Sequence, residues 1–478
     1  MSVRRRPRRG VLPLALVLLP ALLAAAFFAS SCRLPIQRGR WNVVVVLVDT
    51  LRADHLGAYG YDRPTSPRFD ALAAESYLFT DARAQAPCTY PSVNSLLTSR
   101  YPARFLGQPD GALGIPPNIP SLAEMLAAQG FTTAAVSASP VVRKSPSRFN
   151  PHGGFDRGFA RFDESCLWRD AACVTGRGLW MSERLREPFF LYLHYLDPHG
   201  PYAPPAPFRK QLRMSRTREP WALRGNPNPL ARALEGGAAE GGVAGGGAAG
   251  GGAAGGGAAT GGATTDGATT GGEGGAFHWA RHDVRFLAGL YDGEIAFFDS
   301  QLGALVDRLR EKKLMERTIF VVLSDHGEAF LEHGGVKHCR TVYDEEIKTP
   351  LLVRLPRQRH GERLAGPADN LDLVPTLVDL LGLPVDGQGF EGRSLLPRLN
   401  GAAAEDRVSF AMMNVQRSAA GARYKLVADF AAGSRKLYDL RSDPRETRDV
   451  ATAAREPFAR LQRELETWRA RTEGAAGL

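Results

Sequence analysis

Residues 42–48 read NVVVVLV, a run with no polar break until Asp49. Such a segment has no wet face to offer, so it reads as a strand buried on both sides, the setting of a parallel sheet covered above and below by helices. Comparable apolar runs occur at 133–136, 189–195, 319–323 and 350–353. Amphipathic stretches with helical spacing lie between them at 121–129, 284–310 and 372–381. This alternation predicts an α/β fold built on a mostly parallel sheet.

In folds of that kind ligands bind beyond the carboxyl ends of the strands. The polar residues of this chain fall there. Asp49 ends the first run, Asp197 and His199 follow 189–195, and Ser324, Asp325 and His326 follow 319–323. An aspartate after a strand often serves only its own turn, but the recurrence at separate strands makes a common site the better account. Asp49, Asp325 and His326 supply carboxylate and imidazole donors together. That mixed set suits one divalent metal ion, Mn²⁺, Zn²⁺ or Mg²⁺, with Ca²⁺ tending towards all-oxygen shells.

The net charge of +10 does not point to nucleic acid. Half of it resides in Arg4, Arg5, Arg6, Arg8 and Arg9, and no basic stripe with interleaved aromatics follows. After those arginines come an apolar stretch at 11–28 and the small residues Ala29, Ser30 and Ser31, directly before Cys32. Residues 1–31 thus resemble a lipoprotein-type signal peptide, with Cys32 as the acylated residue; the alternative is an uncleaved apolar anchor helix. Either reading places the rest of the chain outside the cytoplasm, tethered to a membrane in the periplasm or cell envelope. The remaining cysteines, Cys88, Cys166, Cys173 and Cys339, suit an oxidising compartment. Cys166 and Cys173 enclose a short loop that a disulfide could close. Cys88 and Cys339 each adjoin a candidate site residue, and the sequence leaves their pairing open. Residues 203–234 are rich in proline and arginine, and residues 235–276 are almost entirely Gly, Ala and Thr. The latter tract has too little apolar surface to offset the entropy of ordering and reads as a disordered surface insertion.

Five segments carry a more specific signal: VVLVDTLRADHLGAYGY, PSVNSLLTSRYP, FLYLHYLDPHGPYAPP, SDHGEAFLEHGG and LDLVPTLVDLLGLP. In this order they resemble the sulfatase family of the alkaline-phosphatase superfamily across residues 41–400. Further on, KLYDLRSDPRETRDV resembles the family's carboxyl-terminal subdomain, a small antiparallel sheet with a helix, here 401–478. The resemblance implies a mostly parallel mixed sheet sandwiched by helices, and hydrolysis or transfer of sulfate or phosphate esters at a metal. It implies Asp49, Asp325, His326 and Thr89 as metal-binding positions and Thr89 as nucleophile. It gives His199 and His338 the tasks of contacting the anionic group and protonating the leaving oxygen, with Glu328 and His333 supporting them. The expected partner is an anionic ester, whether a small molecule, a glycan or a lipid head group, and not nucleic acid. His194 lies inside a strand and reads as a core residue.

The departures from the family pattern narrow the activity. Sulfatases of the family carry Cys or Ser in C/S-x-P-x-R, oxidised to formylglycine. Counting back from Leu96, Leu97 and Thr98 puts Thr89 at that position, with Pro91 in place and Val93 where arginine is expected. Cys88 stands one residue too early, Thr50 replaces a second aspartate, and no G-K-x-x-H pair occurs at 130–160. A threonine oxidises to a ketone, so the pattern favours a threonine nucleophile acting on phosphate esters. The alternatives are a sulfatase matured at an atypical site, Cys88, and a non-catalytic relative that binds anionic ligands. Substrate specificity is expected from the loops at 137–180 and 203–234.

Overall fold

The computed structural model describes residues 35–106, 114–168, 170–212, 281–384 and 389–474. The arginine-rich leader, Cys32 and the 235–276 tract lie outside them. Among the described residues no helix is long and apolar enough to cross a membrane.

The valine-rich run forms strand β1 (Asn42–Val48), every residue of which is buried. Its side chains split by parity. Val43, Val45 and Leu47 enter one apolar layer, while Val44, Val46 and Val48 enter the other. Each fully buried valine or leucine contributes about 1.5–3 kcal/mol, so this strand can only be central. The elements around it are α1 (Pro67–Ala73), β2 (Tyr77–Arg83), α2 (Thr89–Thr98), α3 (Leu122–Ala128), β3 (Thr132–Ser137), β4 (Arg161–Asp163), α4 (Ala171–Ser182), β5 (Phe189–Tyr195), α5 (Arg281–Glu311), β6 (Thr318–Ser324), β7 (Ala329–Phe330), β8 (Val336–Lys337), β9 (Lys348–Arg354), β10 (Glu362–Asp369) and α6 (Leu373–Leu380). One sheet has eight strands in the order β10-β2-β9-β6-β1-β5-β3-β4. Helices α2, α3 and α6 cover the face shared with Val43, and α1, α4 and α5 cover the face shared with Val44.

The expected mostly parallel sheet is present, and the run at 350–353 supplies its one reversed strand. β9 pairs antiparallel with both β6 and β2. The reason is local: the chain leaves β6 at its carboxyl end, makes an excursion through β7 and β8, and re-enters the sheet from that same end. That excursion carries His326, Glu328, His333 and His338.

Residues 409–439 form a separate four-stranded antiparallel sheet of β11 (Ser409–Met413), β12 (Gln416–Ala420), β13 (Tyr424–Asp429) and β14 (Ser434–Asp439). Helix α7 (Arg455–Thr472) packs Leu461, Leu465 and Trp468 against it. A buried ionic cluster joins the two sheets. Lys425 on β13 reaches Asp344 at 2.7 Å and Glu446 at 2.8 Å, and Arg83 on β2 also pairs with Asp344 at 2.8 Å. Buried charges are tolerated only while each has its partner. Lys425→Met should therefore lower unfolding free energy by about 3 kcal/mol or more, the cost of stranding a buried carboxylate. Denaturant unfolding followed by tryptophan fluorescence measures it; an unchanged midpoint would show that the cluster does not couple the sheets.

Candidate active site

Parallel pairing brings the ends of the central strands to one edge. Val48 is in register with Tyr195 of β5 on one side and Ser324 of β6 on the other. The next residues are therefore neighbours: Asp49 beyond β1 and Asp325-His326 beyond β6. Thr89 arrives from a different direction, as the first residue of α2 with Cys88 as its N-cap. Ser92, on the same turn, donates its hydroxyl to the Asp325 carbonyl at 2.5 Å and fixes the helix over the strand end.

The Thr89 hydroxyl lies 3.2 Å from Nε2 of His326. That nitrogen is 3.4 Å from Asp325 Oδ2 and 3.9 Å from Asp49 Oδ1. His326 donates Nδ1–H to the Gly327 carbonyl at 2.9 Å, so Nε2 carries the lone pair. Burial pushes its pKa down to about 3, and the neighbouring His338 adds to the effect, keeping the ring neutral. Gly327 is required here because a Cβ would stand 2.1 Å from the Glu345 carbonyl oxygen.

The carboxylates meet opposite fates. Burial, reinforced by the charge of Asp49, lifts Asp325 well above the usual range. Burial acts on Asp49 too, but His199, His194 and His326 outweigh it and hold that group below the usual range. Asp325 Oδ1 accepts from the backbone N–H groups of Thr50 at 3.2 Å and His326 at 2.9 Å. Asp49 Oδ1 and Asp325 Oδ2 are buried with no hydrogen-bond partner. Such orphaned oxygens are costly in a protein interior, and two of them beside a lone-pair imidazole nitrogen and a hydroxyl form a donor set that fits one divalent cation.

One donor atom from each of Asp49, His194 and Asp325 also falls within 4.8 Å of the others. Hydrogen bonding separates the histidines. His194 donates Nε2–H to Asp49 Oδ2 at 3.3 Å while its Nδ1 accepts from the Tyr192 hydroxyl at 3.0 Å, so both nitrogens are engaged. His326 Nε2 meets the Thr89 hydroxyl, itself a group the cation would take, and is the better metal donor. His194, read from sequence as core, is fully buried and also orients Asp49. The signal available was its place next to the carboxyl end of β5, on the same parity as Tyr192.

His338 and His199 stand over this cluster. The His338 ring centroid is 4.5 Å from that of His326 and 5.0 Å from that of His199. Glu328 accepts from His338 Nδ1 at 3.1 Å and from the Tyr202 hydroxyl at 2.9 Å. Burial disfavours the charged form of His338, but the Glu328 carboxylate overrides it and the net shift is upward. For His199 burial prevails and the shift is downward. The structure does not bring His333 to the cluster. Its ring stacks on Tyr343 at 3.6 Å and its nitrogens meet Glu345 and the Glu446 carbonyl, at the junction with the carboxyl-terminal sheet.

Two further features bear on the cluster, the first a pairing that the sequence leaves open. Cys88 and Cys339 form a disulfide, with Cα atoms 4.7 Å apart, that ties the residue before Thr89 to the residue after His338. Thr50 adopts φ 59°, a left-handed conformation rare for a β-branched residue. Its N–H on Asp325 and its carbonyl, which accepts from the Tyr291 hydroxyl at 2.6 Å, hold it there.

The sulfatase family model matches residues 41–383, which covers the large sheet and every residue of this cluster. The chain belongs to the sulfatase family. A second model, that of the carboxyl-terminal part of N-sulphoglucosamine sulphohydrolase, matches residues 331–471. Similar curated proteins include arylsulfatase K of Gallus gallus, 31% identical over 188 residues, covering 36% of this chain and 35% of the relative. The choline-sulfatase of Rhizobium meliloti (strain 1021) is 28% identical over 193 residues, covering 38% and 36%. The chain thus spans about a third of the length of these relatives. Among solved structures, the phosphonate monoester hydrolase of Agrobacterium radiobacter superposes with a TM-score of 0.68 at 20% identity, over 91% of this chain and 96% of that one. A 2-O GAG sulfatase gives 0.65 at 18%, over 91% and 93%. These likenesses establish a shared fold.

The loop bearing His199 is seated by a pair of acids. Burial pushes Glu294 of α5 up to about 8, and the facing Asp197 adds to the shift. Asp197 itself rises to about 6, again through burial. Glu294 also accepts from the Ala203 N–H at 2.5 Å, closing the loop. Because both acids are raised, the seat is intact while the pair keeps a proton and is lost as pH rises through about 8. The pH profile of turnover should fall on that alkaline side, and Glu294→Gln should move the fall to higher pH. An unmoved limb in Glu294→Gln would exclude this pair as its source.

Proposed function

We propose that this sulfatase-family hydrolase is metal-dependent and cleaves or transfers phosphate esters outside the cytoplasm, with Thr89 as its nucleophile. The observation that carries the reading is the pairing of Cys88 with Cys339 beside a Thr89 hydroxyl 3.2 Å from His326. A cysteine held in a disulfide has no free thiol for oxidation to formylglycine, which weighs against maturation at Cys88 and leaves Thr89 as the hydroxyl at the cluster. Glu328 holding His338 for proton transfer weighs against a binding-only relative.

Asp49, Asp325 and His326, with Thr89, would hold a divalent cation, which supplies acidification of a hydroxyl and neutralisation of charge on the transferred group. The chain's own groups do the rest. The positive end of the α2 dipole, at Thr89, would favour an incoming anion. The acidified Thr89 hydroxyl gives its proton to solvent, its oxygen forms a bond to phosphorus as the bond from phosphorus to the leaving alcohol breaks, and His338, oriented by Glu328, gives its proton to that alcohol. Water or an acceptor alcohol then displaces Thr89 from phosphorus, and His338 takes back a proton. Neutral His199 offers Nε2 to the same space, since its Nδ1–H is donated to the Gly200 carbonyl at 2.6 Å.

Sulfate ester hydrolysis is the second reading, favoured by the names of the similar curated proteins. Side-by-side turnover of aryl phosphate and aryl sulfate esters separates the two. On the first reading the phosphate ester is preferred, rapid quenching traps the phosphoryl group on Thr89 by mass spectrometry, and Thr89→Ala loses roughly 10³-fold or more in kcat. A fully active Thr89→Ala sinks the nucleophile assignment. His338→Asn should cost about 10²–10⁴-fold with an alkyl phosphate and much less with nitrophenyl phosphate, whose leaving group needs no proton. Equal losses on both substrates would remove His338 from the role of acid.

A further inference from the structure

Residues 36–40 run across the amino edge of the large sheet, the end opposite Asp49, and they are fastened there. The Ile36 N–H donates to Asn400 Oδ1 at 2.8 Å and the Gly39 N–H to the Leu380 carbonyl at 3.3 Å; Arg38 pairs with Asp379, and Arg40 donates to the Gln129 carbonyl at 2.8 Å. Asp379 and Leu380 close α6, and Gln129 lies just before β3, so these partners belong to the same edge. The side chains of Ile36 and Trp41 pack against the core. This seating limits the tether expected at Cys32. Four residue steps separate Cys32 from Ile36, a reach of at most about 14 Å. From the amino edge, β1 carries the chain about 23 Å further to Asp49.

The tether fixes which region of the body would lie near a bilayer, and the surface chemistry selects the face. Acids at the amino edge are each taken by a neighbouring arginine: Glu183 by Arg308, Glu187 by Arg317 and Glu316 by Arg359, all at 2.8 Å, and Asp379 by Arg38. Six exposed cations remain that are in no ion pair among the described residues. Arg40 precedes β1, Arg161 opens β4, Arg184 and Arg186 lead into β5, Lys313 leads into β6, and Arg357 follows β9, whose carboxyl end lies at this edge because the strand is reversed. The cations left over therefore come from five strands and meet along one edge.

An exposed indole stands among them. Trp180, 39% exposed, lies in the last turn of α4, the end of that helix that leads into β5. The guanidinium groups of Arg161, Arg177 and Arg184 lie over its ring at 5.4, 5.2 and 4.7 Å, and Arg184 also donates to its carbonyl at 3.0 Å. An indole with an apolar body and a polar edge suits the depth of lipid head groups, and lysines and arginines around it suit their phosphates, each contributing about 1 kcal/mol near an anionic leaflet. A single acyl chain holds a protein only marginally, and a basic surface beside it makes the attachment stable. The opposite edge has an exposed indole of its own. Trp168, 47% exposed, donates its N–H to the Ala138 carbonyl at 3.1 Å, beyond the carboxyl end of β3.

We propose that the amino edge, with Trp180, Arg161, Arg184, Arg186 and Lys313, lies against an anionic phospholipid bilayer, and that the carboxyl edge with Thr89 opens away from it. The ester that reaches Thr89 is then water-soluble and not a head group of that bilayer. This goes beyond the function proposed above and rests on the reading of residues 1–31 as the segment that holds the chain at a membrane.

The test reconstitutes the full chain in vesicles of phosphatidylcholine, with or without phosphatidylglycerol, whose acyl chains are brominated near the head group, and reads tryptophan emission. Quenching should be stronger with phosphatidylglycerol. Trp180→Phe should remove most of that extra quenching and Trp168→Phe none of it. Arg184→Gln/Arg186→Gln/Lys313→Gln should lower it to the phosphatidylcholine level, as added salt should. The surface is overturned if Trp180→Phe and the triple variant leave quenching unchanged, or if Trp168→Phe removes as much as Trp180→Phe. Should Trp180→Phe fail to fold, the triple variant and Trp168→Phe still decide. Flotation keeps the tether separate: a chain that floats with neither vesicle sinks tether and surface together, and one that floats with its Trp180 emission unquenched sinks the surface alone. Phosphatidic acid in the same bilayer should be spared while a soluble aryl phosphate is hydrolysed, and comparable hydrolysis of both overturns the orientation. A chain that hydrolyses neither contradicts the proposed function, and the quenching still decides the surface.

Discussion

Two carboxylates buried side by side, Asp49 and Asp325, set the terms for everything around them. Each has an oxygen without a partner, and mutual repulsion with desolvation lifts one group while the nearby imidazoles lower the other. A folded chain carries such an arrangement only if something returns the lost stabilisation. Much of the surrounding structure does so in part: N–H groups on Asp325 Oδ1, His194 on Asp49 Oδ2, and three further imidazoles in the same small space. The remaining deficit is local negative charge at the two free oxygens, which is what a divalent cation would neutralise. The strain at Thr50 belongs to the same account, since a residue held at φ 59° costs about 1–3 kcal/mol and its N–H is one of the donors that makes burial of Asp325 tolerable.

Precision at this edge depends on how its parts are joined. Strand ends are positioned by sheet register, but Thr89 and His338 belong to a helix and to an irregular excursion, which register does not reach. The Cys88–Cys339 bond joins those two segments covalently, and the Cys339 N–H donates to the Pro87 carbonyl at 2.7 Å beside it. The base of the excursion is held from the other side. Lys425 and Glu446 of the carboxyl-terminal part grip Asp344, and Glu446 also offers its carbonyl to His333. The smaller sheet thus acts on the site at a distance, by fixing the segment on which His338 is carried.

Much of this was legible because burial on both faces leaves no room for polar residues. The 42–48 run marked itself as a central strand, and the strand-end rule then pointed to Asp49, Asp325, His326 and His199 without any coordinates. β2, β4 and β10 were not read, for the converse reason. β2 is YLFTDAR and β10 is ERLAGPAD, sequences whose polar and small residues are settled by tertiary ion pairs such as Arg83 with Asp344 and not by periodicity. The reversed direction of β9 is invisible to a pattern that reports burial and not polarity of the chain. His194 was obscured because the same alternation that defines a buried strand assigns each member to the core by default. Its hydrogen bond to Asp49 exists only once β1 and β5 are paired in register, Leu47 opposite His194.

The threonine has a consequence for the second half of the reaction on the mechanism proposed here. A hydrated aldehyde has two hydroxyls on one carbon, so after one is esterified the other can lose its proton and expel the ester group without any attack by water on sulfur. Thr89 has one hydroxyl. Its ester can be released only by a second displacement at the transferred atom, which requires a nucleophile approaching from the side the first alcohol left and a group there able to take its proton. On that mechanism the group would be His338, which the first step would leave as a base, its Nδ1–H held by Glu328 and its ring beside that of His199. The geometry that serves the leaving alcohol also serves the incoming one, and whether that is water or another alcohol depends on what the cleft admits. On the proposed mechanism the same scaffold would serve hydrolysis and transfer alike, and the choice would fall to the loops that cover the carboxyl edge and not to the residues that do the chemistry.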